Sequence, residues 1–142
     1  MITFDVNVLV HAYVESSYAH AVCLAAVDDI RAKNEPLVLS HAVTSGFIRI
    51  VSNSKLLKPV VPIAEAFLFI NVLRAHPGYR EISPGARHWR IFQELVEQTG
   101  ISGPDVSDAW FAALAIEHGL EWWTTDLDFK RFEGLRWRHL TA

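Results

Sequence analysis

The 142-residue chain predicts an α/β fold: a mostly parallel sheet flanked by helices, in a single domain spanning residues 1–142. Three observations carry that expectation. Short β-branched segments alternate with longer segments of helical apolar spacing, the pattern of strands joined through crossover helices. About half the residues (51%) are hydrophobic and only 20% are charged, enough to build a real core. No repeat, low-complexity tract or linker divides the chain.

Each element follows from local residues. Ile2 to Val10, "ITFDVNVLV", is the most apolar stretch near the N-terminus, and seven of its nine residues suit a buried strand, with the strand itself read over 2–6. "YAHAVCLAAVDDIRAK" (18–33) repeats apolar residues with helical period and ends at Asn34-Glu35-Pro36. Leu37-Val38-Leu39 reads as a second strand, and 41–52 as a helix despite Gly46. Pro62 suits the first turn of a helix, "PIAEAFLFINVLRA", which His76-Pro77-Gly78 stops. Tyr79–Ile82 is a third strand candidate, and Ala86–Gln98 a further helix. "GISGP" reads as a loop, and Asp105–His118 as a helix closed by Gly119. Glu121–Thr125 is a fourth strand and Leu135–Trp137 a possible fifth.

Composition excludes several classes. No apolar run approaches the length of a membrane span, and no basic segment leads into an export signal, so a reducing cytoplasm is expected. The lone Cys23 rules out an internal disulfide. A net charge of −3 argues against coating nucleic acid through bulk positive charge, though not against a local basic rim.

The carboxylates hold the chemistry. Asp5 interrupts an apolar strand, where a buried acid without a partner costs several kcal/mol (roughly) or takes up a proton. Open α/β sheets place ligands at the carboxyl ends of their strands. Asp5 lies at that end of the first strand, and Asp126 follows the fourth in "WWTTDLDF", with Asp128 two residues on. Asp108 sits in the first turn of the helix leading into that strand. Three acids gathered at one rim repel and need a cation, and oxygen-only donors favour Mg²⁺ or Mn²⁺. Asn7 is placed to orient a ligand by hydrogen bonding. Ordinary structural roles compete at this point: Asp105 and Asp108 suit a helix N-terminus, with capping preferred for Asp105, and Asp126 and Asp128 suit a turn. The seven histidines show no ligand spacing and read as structural or surface residues.

"MITFDVNVLVHAY", "GFIRIVSN", "SDAWFAALAIEHG" and "WWTTDLDFKRFEGLRW" follow, in that order, the pattern of PIN-domain ribonucleases. Over nearly the whole chain the sequence most resembles the VapC toxins of bacterial toxin–antitoxin pairs, in their mycobacterial-type branch. The resemblance implies a five-stranded parallel sheet and a Mg²⁺-dependent endoribonuclease that cuts structured RNA such as tRNA or ribosomal RNA. It also implies a VapB-type antitoxin as inhibitor. It assigns Asp5, Asp108 and Asp126 to the metal and to catalysis, with Asp128 as a neighbouring acid. The chain departs from the wider pattern at Thr44-Ser45-Gly46, where many members carry a glutamate.

Arg49, Arg87, Lys130 and Arg131 are candidates for RNA phosphate contacts. Phe67-Leu68-Phe69-Ile70 puts apolar side chains on every face of one helical turn, which points to a homodimer or an antitoxin groove, or else to a deeply packed helix. Two other functions remain open. A haloacid-dehalogenase-like phosphohydrolase also has an early Asp, but needs a second acid where Asn7 stands. A PIN-like binding module with a weakened metal site would explain the missing glutamate.

Overall fold

The structure, a computed structural model, describes residues 1–141. In chain order the elements are β1 (Ile2–Phe4), α1 (Val6–Tyr13), α2 (His20–Ala32), β2 (Leu37–Ser40), α3 (His41–Val51) and α4 (Ile63–Arg74). They continue with β3 (Tyr79–Ile82), α5 (His88–Thr99), α6 (Val106–Glu117), β4 (Glu121–Thr124) and β5 (Trp137–His139). Short 3-10 turns cover Gly103–Asp105 and Leu127–Arg131.

The five strands pair in parallel in the order β3-β2-β1-β4-β5. The chain winds outward from β1 to β3, then returns to lay β4 on the other side of β1. β1 and β4 therefore form the point where the winding direction reverses, and their carboxyl ends frame the crevice in which such sheets bind ligands. The sheet is short-stranded and buried, so its strands read as apolar runs rather than alternating ones. Phe4, Leu37, Leu39 and Trp122 are almost wholly inaccessible, as are the small residues Ala109, Ala112 and Ala113 of α6. Those alanines let α6 lie close to the sheet.

One expectation fails at the N-terminus. Val6–Tyr13 is a helix, not the continuation of the first strand. Alternating valines mimic a strand, but Val8, Leu9 and Ala12 are the buried positions, a helical set. The strand stops at Phe4, and Asp5, extended at φ −66° and ψ 155°, adds one last bond to β4 and starts the helix. A Cβ added at Gly46 would stand 3.0 Å from Val6 Cγ2, so the missing side chain lets α3 approach α1 closely. The last strand sits two residues later than expected, at 137–139.

In α4, Ala66, Ile70 and Leu73 are buried, and Phe69 packs against Tyr13 and Phe47 at ring distances of 5.1 and 5.0 Å. Ile63, Phe67, Leu68 and Val72 face solvent. The all-round apolar turn thus resolves into an inner face that includes Phe69 and an outer face led by Phe67 and Leu68.

Candidate active site

Asp5 enters the crevice directly from β1. Its backbone N–H donates to Trp123 O at 2.9 Å, adding one rung to the β1–β4 ladder and fixing where the side chain emerges. Although Asp5 occupies the N-cap position of α1, its side chain makes no capping bond. Its Oδ2 instead accepts from Thr124 Oγ1 at 2.7 Å and from Asn7 Nδ2 at 3.0 Å.

Thr124, the fully buried last residue of β4, is the node of the site. Its hydroxyl also accepts from Asp126 N–H at 3.0 Å, tying two of the acids together through one oxygen. Asn7 reinforces this link, donating to Thr124 Oγ1 at 3.3 Å and accepting from Thr125 N–H at 3.2 Å. Its amide is therefore committed where phosphohydrolase chemistry would need a second acid.

Asp126 caps the turn that follows it, Oδ1 accepting from Asp128 N–H at 2.8 Å. The turn bond uses Oδ1 alone. Asp108 projects from the first turn of α6, and its Oδ2 accepts from Arg131 Nη2 at 2.9 Å. Asp105, expected to cap α6, stands at the cap position without a capping bond and faces Arg131 Nη1 at 3.6 Å.

Asp5, Asp108 and Asp126 line one cleft of about 320 Å³, together with Asn7, His11 and Ile50. It is not the largest depression: one of about 560 Å³ lies against α5 and α6, walled by Phe92, Trp110 and Phe111. Chemistry rather than size singles out the smaller cleft as the candidate site, because the second cleft offers no acid or base.

The electrostatics agree with crowding. Burial pushes the Asp5 carboxyl up to about 6; the Thr124 and Val6 bonds oppose this, and the charges of Asp108 and Asp126 add to it. Asp108 is also raised, first by burial and then by Asp126, with Arg131 pulling the other way. Such repulsion is what a bound cation relieves.

The donor set fits a hard cation. All donors are oxygens: Asp108 and Asp126 each have one oxygen held by the protein, and the Asp5 carboxyl is held by Thr124, Asn7 and the Val6 N–H. The sphere is not closed: no group of three or more acid, histidine or cysteine side chains among the described residues is tight enough to hold an ion by itself.

The other expected residues divide. Asp128 is exposed and outside the cleft lining, serving Asp126 through its backbone. Arg49 is exposed one residue before Ile50 of the cleft wall, and Lys130 is exposed beside Arg131. The structure does not bring Arg87 to the acids: it donates to Glu117 O at 2.7 Å, at the far end of α6 from Asp108. No acid lines the cleft from α3. Thr44 bonds back to the carbonyls of Ser40 and His41, and Gly46 meets Val6, so Ile50 supplies that wall.

Two residues escaped the sequence reading. Thr124 had no motif to mark it. His11, by its spacing a structural or surface residue, lines the cleft, bonded through Nδ1 to Ser17 Oγ and held below its usual pKa by burial. Its position one helical turn after Asn7 was the available signal.

A family model described as the PIN domain matches residues 2–135. Ribonuclease VapC43 of Mycobacterium tuberculosis is 36% identical over 139 residues, covering 98% of this chain and 95% of that one. Ribonuclease VapC25 of the same species is 31% identical over 136 residues, covering 96% of each. Among solved structures, VapBC2 from Rickettsia felis bound to a DNA fragment from their promoter matches with a TM-score of 0.72. The match covers 97% of this chain and 98% of the other at 20% identity, a likeness of fold alone.

Proposed function

Since the chain belongs to the PIN-domain family, we propose that it is a Mg²⁺-dependent endoribonuclease, with Mn²⁺ able to replace Mg²⁺. In this reading it is the cytoplasmic toxin of a VapBC-type pair, its substrate a structured RNA (tRNA or ribosomal RNA) and its inhibitor a VapB-type antitoxin. One observation carries the reading. Three carboxylates, entering from the end of β1, the first turn of α6 and the segment after β4, line one cleft. The names of the relatives, ribonucleases of the VapC group, support the choice of substrate polymer.

Asp5, Asp108 and Asp126 would hold the ion, which when bound lowers the pKa of a coordinated water and offsets charge on the scissile phosphate. The protein's own groups prepare the site. Thr124 and Asn7 fix Asp5 Oδ2, so the remaining oxygen keeps one direction toward the cleft. The Asp128 N–H does the same for Asp126. Val6, Val10 and Ile50 form an apolar wall that limits water around the acids and strengthens their field. An acidic cleft repels a polyanion, so Arg49, Lys130 and Arg131 at its margin would take the flanking phosphates.

The exposed outer face of α4 would make the homodimer contact, with Leu68 64% and Phe67 50% accessible in the single chain. The test is cleavage of total cellular RNA by protein stripped of inhibitor. Discrete fragments are expected with Mg²⁺ and none after chelation. Cleavage that survives chelation would overturn the metal assignment.

A further inference from the structure

Arg131 is the only cationic side chain among the described residues paired with any of the three site acids. It ends the 3-10 turn that Asp126 begins and reaches back to the first turn of α6. Its guanidinium straddles Asp105 and Asp108, at 3.6 and 2.9 Å, and lies over the Phe132 ring at 5.0 Å from the centroid. The carboxylate oxygen it holds, Asp108 Oδ2, is one that an ion would otherwise have available.

Two features argue against a simple structural brace. The Arg131 Nε is buried without any hydrogen-bond partner. A guanidinium placed for stability alone would satisfy its donors, because an unmet buried donor costs free energy. The arginine therefore sits where the carboxylates pull it rather than where its own bonding is best. In addition, this bond takes up Asp108 Oδ2 in a cleft where no group of three or more acid, histidine or cysteine side chains among the described residues is close enough to hold an ion.

We propose that Arg131 is an internal counter-ion that competes with the divalent cation for Asp108. The arginine neutralises the acid rim when Asp108 is not ligating, and leaves Asp108 when the ion binds. Freed, the guanidinium is at the cleft margin with its planar donor fork available to a phosphate. This inference rests on the metal-site reading above. It sets Arg131 apart from Arg49 and Lys130, which have no acid partner among the described residues and whose removal should leave ion affinity nearly unchanged.

The experiment is calorimetric titration of Mg²⁺ into the full chain, stripped of metal and inhibitor, for the wild type, Arg131→Met and Arg131→Lys at one ionic strength. Loss of this ion pair, whose side chains are 24% and 25% exposed, predicts about fivefold tighter Mg²⁺ binding by Arg131→Met. Arg131→Lys, which keeps the charge, should stay within about twofold of wild type. A brace would give the opposite sign, weaker binding by Arg131→Met. Equal or weaker binding by that variant overturns the proposal. Should the variant not fold, the wild type decides: the Arg131 Nε–H resonance must move during Mg²⁺ titration and saturate with the calorimetric affinity. An unmoved resonance at saturating Mg²⁺ also overturns it. If neither wild type nor variant binds Mg²⁺, the metal-site reading fails first and this inference with it; if wild type binds and the variant gains nothing, only the competition fails.

Discussion

Replacing Asp5 with Asn should make the metal-free protein more stable at neutral pH. Burial lifts the Asp5 carboxyl from its ordinary 3.8 to about 6 in the folded protein. A raised acid pKa means that the folded state prefers the protonated form. The group costs nothing below pH 3.8, where both states are protonated, and its cost grows as pH rises toward 6, then levels off. At about 1.4 kcal/mol per unit the full cost above pH 6 is about 3 kcal/mol. The amide keeps the two side-chain contacts, since its oxygen can accept from Thr124 and Asn7 as Oδ2 does. For a chain of this size the gain corresponds to roughly 10 °C in Tm. Urea denaturation of both proteins in chelator, at pH 4 and pH 8, isolates the effect, because other titrating groups are common to both. The advantage of Asp5→Asn should be small at pH 4 and near its full value at pH 8. Saturating Mg²⁺ should narrow it by stabilising only the wild type. An advantage that is absent at pH 8, or the same at both pH values, refutes the reasoning.

Other perturbations probe the parts around Asp5. Thr124→Val removes the hydroxyl that joins Asp5 to Asp126; a loss of about 1–3 kcal/mol in chemical denaturation is expected, with weaker Mg²⁺ binding. On α4, Leu68→Glu should convert a dimer to a folded monomer in sedimentation, whereas Phe69→Asp should unfold the chain, its ring being packed on Tyr13 and Phe47. The Glu117 carboxyl is desolvated, yet hydrogen bonds from the Gly85 and Arg87 N–H groups outweigh this and hold it below its ordinary value. Its support is thus present at neutral pH and lost as pH falls below about 4.5. Glu117→Ala should cost about 1–3 kcal/mol and speed amide exchange at Gly85 and Arg87.

Much of this fold was legible because its strands are short β-branched runs between helices. Leu37–Leu39, Tyr79–Ile82 and Glu121–Thr125 lie within a residue of the observed strands. The failure at Val6–Tyr13 has a physical origin. Valines at 6, 8 and 10 alternate with other residues as a strand would, and nothing local reveals that β1 ends at Phe4. The convergence of the three acids on one cleft was legible through the rule that ligands gather at strand carboxyl ends, which needs only the alternation and not the contacts. Thr124 and His11 were not, because their relevance comes from distances. The Thr124 hydroxyl reaches Asp5 across 119 residues of sequence. Arg131 was read as a phosphate ligand from its charge; its pairing with Asp108 required the return of the chain after β4 to the start of α6.

The most direct test compares RNA cleavage by the wild type with Asp5→Asn, Asp108→Asn and Asp126→Asn in Mg²⁺, each variant first checked for native circular dichroism. All three variants are expected to fold and to lose cleavage by at least about a hundredfold, since each would remove one of three metal-holding carboxylates. A folded variant that cuts RNA at the wild-type rate with Mg²⁺ would contradict the claim that these three acids form the active site.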